Sequence, residues 1–545
     1  MINIEACNSL LTRLHDDISK LKPIDFASSI TQKRFVDKFQ APDSSHIREL
    51  KDKAWSDWIS FDESLPDPRF CGLWYPDLYK VRHELHQLLR KFKLRDGDLE
   101  FTPGETFSPS KGQVSVEAKL SRPWTVSHDA FPAFAGLVYR THALKASARK
   151  KFRRYSRAEN RTLWAHFKGK PFDVFSYKLE QVCIFTHGSR FSTVPKNNEK
   201  RRPINIEPFG NVLLQRQVGL GLRRVLSQLG NDLDSGQSVH RNRISSKIAT
   251  LDLKNASDSI SIALCKFLLP PSFFRLLMNY RSYGIYHDDC VYITRKISAM
   301  GNGFTFELMT LILLTICRLY DPEASVYGDD IICTNDAAKH IVKCVEAAHF
   351  VVNEDKSFID APQRESCGAY YSDEIGYITC FDIKWCENPS DVIQTLNKFY
   401  RIATSSNPLA PKFHAFWYQL SYLVPRLYWG PDLPDPSLEV FDNPKLQSWV
   451  IDPFFEDRKV AQDRETARSQ SLAQQFQTSV KRRFIYVYQP KLRSPLRRSL
   501  TSRQYAKYFM YLYGGLVTKD HLRGKGKWVK KSIHFSASGG VWYPS

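Results

Sequence analysis

The stretch Ser325-Val326-Tyr327-Gly328-Asp329-Asp330-Ile331-Ile332-Cys333 constrains this chain more than any other. Apolar β-formers flank a Gly-Asp-Asp turn, which predicts a tight hairpin with two adjacent carboxylates at its tip. Gly328 permits the turn, and the strands hold both acids at one point. Like charges this close repel, which costs stability unless a cation sits between them. A hard divalent ion that takes oxygen ligands, magnesium first, meets that need. A second pair, Asp288-Asp289, precedes the β-like run Cys290 to Ile293 and reads as an ordinary exposed turn. What separates the two pairs is company: a third carboxylate, a basic segment and a Gly-rich helix start surround the first.

Lys247-Ile248-Ala249-Thr250-Leu251-Asp252-Leu253 reads as a strand ending in a carboxylate. The turn after it, through Asp258, is expected to open a helix that stops at Pro270-Pro271, with Asp258, Ser257 or Ser259 available as its N-cap. Asp252 and Asp329 would then come from neighbouring strands of one sheet. Two magnesium ions roughly 3.5–4 Å apart, bridged by such acids, form a phosphoryl-transfer clamp. A β-like run from Phe191 leads into a loop with four cations, Lys196, Lys200, Arg201 and Arg202, suited to a triphosphate. Lys356 is placed to protonate a departing pyrophosphate; its plain reading is a surface ion pair with Glu354 or Asp355. Met300-Gly301-Asn302-Gly303 opens an apolar helix, and Arg364 to Tyr371 begins a further hairpin.

The 545 residues carry a formal charge of +21 and 42% hydrophobic residues, ample for a large core and far from a disordered composition. The positive charge is concentrated. Residues 140–170 hold eleven Lys or Arg against Glu159 alone, and residues 480–545 hold fifteen against Asp520 alone. Two basic segments on a near-neutral body suit a polyanion; solvated helix faces are the plain alternative. In the first segment Arg149, Lys150, Arg153, Arg154 and Arg157 interleave with Phe152, Tyr155, Trp164 and Phe167, a mixture suited to phosphates and stacked bases. The eleven cysteines show no C-x-x-C spacing, which argues against zinc and a disulfide framework and fits reduced thiols. The first residues have neither the basic start nor the apolar core of a signal peptide. The longest apolar run, Leu308 to Cys317, is too short to span a bilayer and predicts a buried helix. Residues 1–130 read as mostly helical, with no visible chemistry.

The order of these elements resembles motifs F, A, B, C, D and E of viral RNA-dependent RNA polymerases. More narrowly, it is similar to the replicase β subunits of single-stranded RNA bacteriophages, the levivirus family. The carrying strings are Val194-Pro195-Lys196-Asn197-Asn198, Ala256-Ser257-Asp258-Ser259-Ile260-Ser261, Met300 to Leu308, Tyr327-Gly328-Asp329-Asp330-Ile331-Ile332-Cys333 and Arg364-Glu365-Ser366-Cys367-Gly368-Ala369. The resemblance covers residues 190–370 strongly. It implies an α+β right-hand polymerase: fingers over 1–245, including the basic loop 191–205; a palm on a small antiparallel sheet over 246–390; a thumb and basic end over 391–545.

The same resemblance implies Asp252, Asp329 and Asp330 as ligands of two Mg2+ ions, with Mn2+ as a substitute, and Lys356 as general acid. It sets Lys196, Lys200, Arg201 and Arg202 at the triphosphate and Asp258 at the ribose 2′-hydroxyl. Gly301, Asn302, Gly303 and Thr305 line the pocket under template and nucleotide. It further implies primer-independent initiation on phage RNA in the cytoplasm of the infected bacterium. The expected partners are the host elongation factors Tu and Ts and a ribosomal small-subunit protein, with no membrane. Two positions depart from the family pattern. Met309 stands where many polymerases carry an Asn, and Lys254 follows the metal-binding strand where a small residue is expected. A reverse transcriptase shares the palm, but it usually places an aromatic gate after the first acid, absent from Leu253-Lys254-Asn255-Ala256-Ser257-Asp258. A non-catalytic RNA-binding protein would explain the charge but not the aligned carboxylates.

Overall fold

Three strands distant in sequence make one small antiparallel sheet. In the computed structural model, Asp330–Thr334 lies between Ile248–Leu251 and Ser325–Tyr327. The pairing runs Ile331 to Leu251, Ile332 to Thr250 and Cys333 to Ala249 on one side, and Asp330 to Tyr327 on the other. The structure describes residues 3–423 apart from 38, 40–45, 71, 96, 103, 108–115, 122, 153–154, 198, 246, 289 and 388, and beyond these only the strands 482–490, 526–535 and 541–542. The architecture is α+β, with helices outnumbering short sheets. Among the described residues no helix is long and apolar enough to cross a membrane.

The sheet extends sideways through a later segment. Val351–Val352 pairs with Leu253–Lys254, and Thr250 exchanges backbone hydrogen bonds with Phe358 at 3.0 and 2.7 Å. Gln363–Ser366 and Ala369–Ser372 form the predicted hairpin, turning at Cys367 and Gly368, both at positive φ. Buried Arg364 ties that hairpin to the sheet, its Nε donating to the Ile248 carbonyl.

The helix Thr305–Arg318 packs beneath the sheet. Leu308, Leu311, Ile312, Leu313, Leu314 and Ile316 are all fully buried in the main core. The run too short for a membrane is thus a central support, each such side chain contributing about 1.5–3 kcal/mol by leaving water. Met309 belongs to the same core.

A four-stranded sheet stands beside it, in the order Arg201–Ile206, Gly188–Pro195, Gly284–His287, Cys290–Ile293. The helix Ile47–Ser64 lies across it, with Trp55 and Trp58 against Phe191 and Ile285. A second core joins the Ile4–Ser19 helix to residues 383–420. Leu10, Leu11, Leu14 and Ile18 of the Ile4–Ser19 helix pack with Ile383, Leu396, Phe399 and Phe413.

One expected boundary is corrected. The helix after Asp252 begins at Ile262, not near Asp258, because Ser261 is the cap: its Oγ accepts the Leu264 N–H at 3.0 Å. It ends at Leu268, and Pro271 starts a separate helix to Tyr280.

Candidate active site

Asp252 follows the last residue of its strand. Leu251 faces Ile331, so one further step in the same register sets Asp252 opposite Asp330. Its backbone is fixed on both sides. The Asp252 N–H donates to Ser357 Oγ at 3.1 Å, and its carbonyl accepts the Asn353 N–H at 2.8 Å. The Asn353 side chain also donates to the Asp252 carboxylate.

Asp329 is exposed at the hairpin tip, next to Gly328 at φ +65°. Gly328 is required twice: by that φ, and because a Cβ would lie 2.4 Å from the Phe306 ring. Its N–H donates to Thr310 Oγ1 at 3.1 Å, which anchors the turn to the core helix.

Burial, reinforced by Asp329 and Asp252, pushes the Asp330 carboxyl up to about 7. Burial also raises Asp252; Lys356 and Asn353 oppose that, while Asp329 and Glu365 add to it. Acids held up by burial and by one another are those whose ionised form a cation stabilises, and all-oxygen donors suit a hard divalent ion. The donor chemistry therefore fits magnesium. Among the described residues, no three His, Cys, Asp or Glu side chains are drawn together tightly enough to hold an ion in this conformation.

Cations face these acids. Lys356 Nζ donates to Glu365 Oε1 at 3.0 Å rather than pairing with Glu354 or Asp355. Burial pulls its ammonium down, but Glu365, Asp252 and Asp330 outweigh that and raise it. Lys196 is lowered by burial and by Arg202, Lys356 and Lys200, with Asp252 opposing, so the basic hairpin loop reaches the acids electrostatically. Exposed Arg202 and Lys200 flank it. Arg201 is committed to its own hairpin, donating to Thr193 Oγ1 at 2.7 Å and to the Thr193 carbonyl at 3.1 Å. Exposed Lys254 lies 4.0 Å from Asp355.

The Gly-rich helix start serves its own shape. Gly301, at φ +107°, brings its backbone so close to the Asn205 carbonyl that a Cβ would sit 2.1 Å away. Gly303 donates its N–H to Gln215 Oε1 at 3.1 Å. Asn302 Oδ1 accepts the Phe304 N–H, and Thr305 Oγ1 donates to the Ala299 carbonyl. Asp258 accepts from Trp58 Nε1 and Lys296 Nζ.

Further out, Arg149, Lys150 and Arg157 are exposed, while Arg153 and Arg154 lie outside the described residues. The helix Arg157–His166 buries none of its side chains and leaves Trp164 half exposed. Most of the basic segment 480–545 lies outside the described residues, and its strands are described by backbone pairing alone. Asp288 is in the Gly284–Ile293 hairpin turn with its side chain 92% exposed; Asp289 lies outside the described residues.

Sequence reasoning missed Glu365, Asn353, Ser357, Trp58 and Lys296. Glu365 stands within a recognised hairpin, on the strand face that meets Lys356. Trp58 and Asp62 share a helix face at i, i+4, a signal that was present. Lys296 gave none.

A family model described as RNA replicase, beta-chain, matches residues 98–513. The RNA-directed RNA polymerase subunit beta of Escherichia virus Qbeta is 37% identical over 297 residues, covering 52% of this chain and 49% of the relative. The RNA-directed RNA polymerase beta chain of Escherichia phage MS2 is 33% identical over 267 residues, covering 47% and 48%. The matched region thus spans about half the length of these relatives. Among solved structures, the RNA-dependent RNA polymerase of a human picorbirnavirus aligns over 78% of this chain and 94% of its own, at 12% identity and a TM-score of 0.34.

Proposed function

Because the chain belongs to the RNA replicase beta-chain family, whose model matches residues 98–513, we propose that it is an RNA-dependent RNA polymerase that replicates a phage single-stranded RNA genome by nucleotidyl transfer. One observation carries this reading: one step beyond the Leu251–Ile331 pair, Asp252 and Asp330 come from adjacent strands beside exposed Asp329, and the charges of Lys356 and Lys196 are felt at Asp252.

Asp252, Asp329 and Asp330 would hold Mg2+, or Mn2+ in its place. Two such ions, when bound, make the attacking 3′-hydroxyl more acidic and stabilise the leaving phosphate oxygens. The residues of the chain do the rest. Lys196 and Arg202 take the incoming triphosphate, with Lys200 outside them and Arg201 holding the loop. Lys356, kept protonated by Glu365 and Asp252, donates its proton to the pyrophosphate oxygen as it departs. Asp258 accepts the ribose 2′-hydroxyl. Gly301, Asn302, Gly303 and Thr305 shape the floor under template and nucleotide, and Arg149, Lys150, Arg153, Arg154 and Arg157 bind RNA phosphates.

The same reading assigns fingers, palm and thumb to residues 1–245, 246–390 and 391–545, with the Ile4–Ser19 helix seated on the last of these. Initiation without a primer, work with elongation factors Tu and Ts and a ribosomal protein, and action in the cytoplasm of the infected bacterium belong to this proposal.

The test is magnesium-dependent extension on an RNA template with labelled ribonucleotides or deoxyribonucleotides, with and without the two factors. Ribonucleotide product that Asp329→Asn removes is expected. No product with Mg2+ or Mn2+ in the presence of both factors, or a preference for deoxyribonucleotides, would overturn the reading.

A further inference from the structure

The Asp258 carboxylate is gripped by parts of the chain that supply nothing else to the acids. Trp58 and Asp62 stand one turn apart on the Ile47–Ser64 helix, and both are buried. Trp58 Nε1 donates to Asp258 Oδ1 at 2.9 Å across 200 residues of sequence. Lys296 Nζ donates to the same oxygen at 3.2 Å. Lys296 is 1% exposed, and its ammonium lies 3.6 Å from the centre of the Trp58 ring and 3.8 Å from Asp62 Oδ1. Asp62 also accepts the backbone N–H groups of Arg295 and Lys296, at 2.9 and 3.2 Å. Helix, turn and ammonium are therefore one unit. An ammonium set between two carboxylates and over an indole face is held there, because losing any partner leaves a desolvated charge.

Both donors use Oδ1. They fix the rotation of the carboxylate and leave Oδ2 to accept from a ligand hydroxyl. A carboxylate that cannot turn to follow its ligand distinguishes a sugar that bears the hydroxyl from one that lacks it more sharply than a free one does, since the mismatch cannot relax.

We propose that Trp58 and Lys296 are positioning residues for sugar selection, locking Asp258 Oδ1 so that Oδ2 meets the 2′-hydroxyl of the incoming ribonucleotide. This rests on the reading of the chain as a ribonucleotide polymerase with Asp258 at the ribose. It makes the Ile47–Ser64 helix part of substrate choice, although its sequence carries no nucleotide-binding motif.

The test is single-nucleotide extension by the full chain with its host factors, measuring kcat and KM for ATP and dATP. Trp58→Phe keeps a ring over Lys296 and deletes the N–H. Its preference for ATP over dATP should fall about fivefold, mostly through KM for ATP, with kcat for ATP within about twofold. Lys296→Met should lose at least as much preference, and Lys296→Arg should regain part of it. Thermal melting of each variant separates positioning from folding, and Trp58→Phe is the substitution least able to unfold the chain. Variants that melt like the parent and keep its preference would overturn the proposal. So would an unchanged preference in Asp258→Ala, since Asp258 would then not choose the sugar. Failure of the parent chain to extend RNA at all would instead remove the polymerase reading, and this proposal with it.

Discussion

Lys356 Nζ and Glu365 Oε1 meet at 3.0 Å, joining the 354–356 turn to the hairpin that begins at Gln363. The ammonium is thereby tied to the hairpin within electrostatic reach of Asp252, and a proton donor must be fixed to be useful. Lys356→Met is expected to lower kcat about 10²- to 10⁴-fold, the usual range for a lost general acid. Glu365→Gln, which keeps the donor but frees it, should cost less. Pre-steady-state incorporation measures both. Equal kcat in Lys356→Met and parent would exclude the lysine from proton transfer.

Asp252→Asn and Asp329→Asn should each slow synthesis roughly a thousandfold, equivalent to ~4 kcal/mol of transition-state stabilisation. RNA affinity should stay within error, because neither acid touches the exposed basic residues 149, 150 and 157. Asp288→Asn should be silent. An essential Asp288 with a dispensable Asp329 would mean the wrong hairpin has been chosen.

His240 makes stability depend on pH. Its Nδ1 lies 2.8 Å from Ser366 Oγ and its Nε2 3.1 Å from Ser325 Oγ, bridging the acid-bearing sheet and the 363–372 hairpin. Burial, with Arg243 adding to it, holds its pKa down to about 3 against an ordinary 6.5. The folded protein therefore keeps this ring neutral while the unfolded chain protonates it below 6.5. Stability from this group is complete above 6.5 and falls as pH drops from there toward 3. Between pH 6.5 and 4.5 the loss should be about 2–3 kcal/mol. Urea unfolding at both pH values, compared with His240→Gln, isolates the contribution; identical pH slopes would rule it out.

RNA binding should weaken steeply with salt, because each phosphate contact releases counterions. Replacing Arg149, Lys150 and Arg157 with Gln should flatten the log–log slope by about 0.7 per lost contact to single-stranded RNA. Filter binding across a salt series reads the slope. No change would mark the Arg157–His166 helix as a solvated or protein-facing surface.

Local pattern carried far in this sequence. The Gly-Asp-Asp hairpin, the strand before Asp252 and the 363–372 hairpin were legible because alternation and turn chemistry act within a few residues. The cap at Ser261 was not, since several Ser and Asp side chains stand in a row and their backbone context alone chooses among them. The grip on Asp258 was invisible for another reason. Trp58, Lys296 and Asp258 come from three separate segments, and nothing in the spacing of one announces the others. The pairing of Lys356 followed the same logic: Glu354 and Asp355 were near in sequence, but a three-residue turn points the lysine away from them and toward Glu365.

The packing of the Ile4–Ser19 helix sets a clock on biogenesis. Cys7 Sγ rests 3.8 Å from Cys386 Sγ, 379 residues later in the chain. At ~5–20 residues per second, a ribosome needs roughly 20–75 s to produce that partner. Throughout that interval Leu10, Leu11, Leu14 and Ile18 have only Phe35 and Phe39 of their final core beside them, and lack Ile383, Leu396, Phe399 and Phe413. This helix is therefore among the last to complete its packing, and the nascent chain carries a half-covered apolar stripe while the intervening residues are made. Added chaperone during synthesis is therefore expected to raise the yield of folded chain.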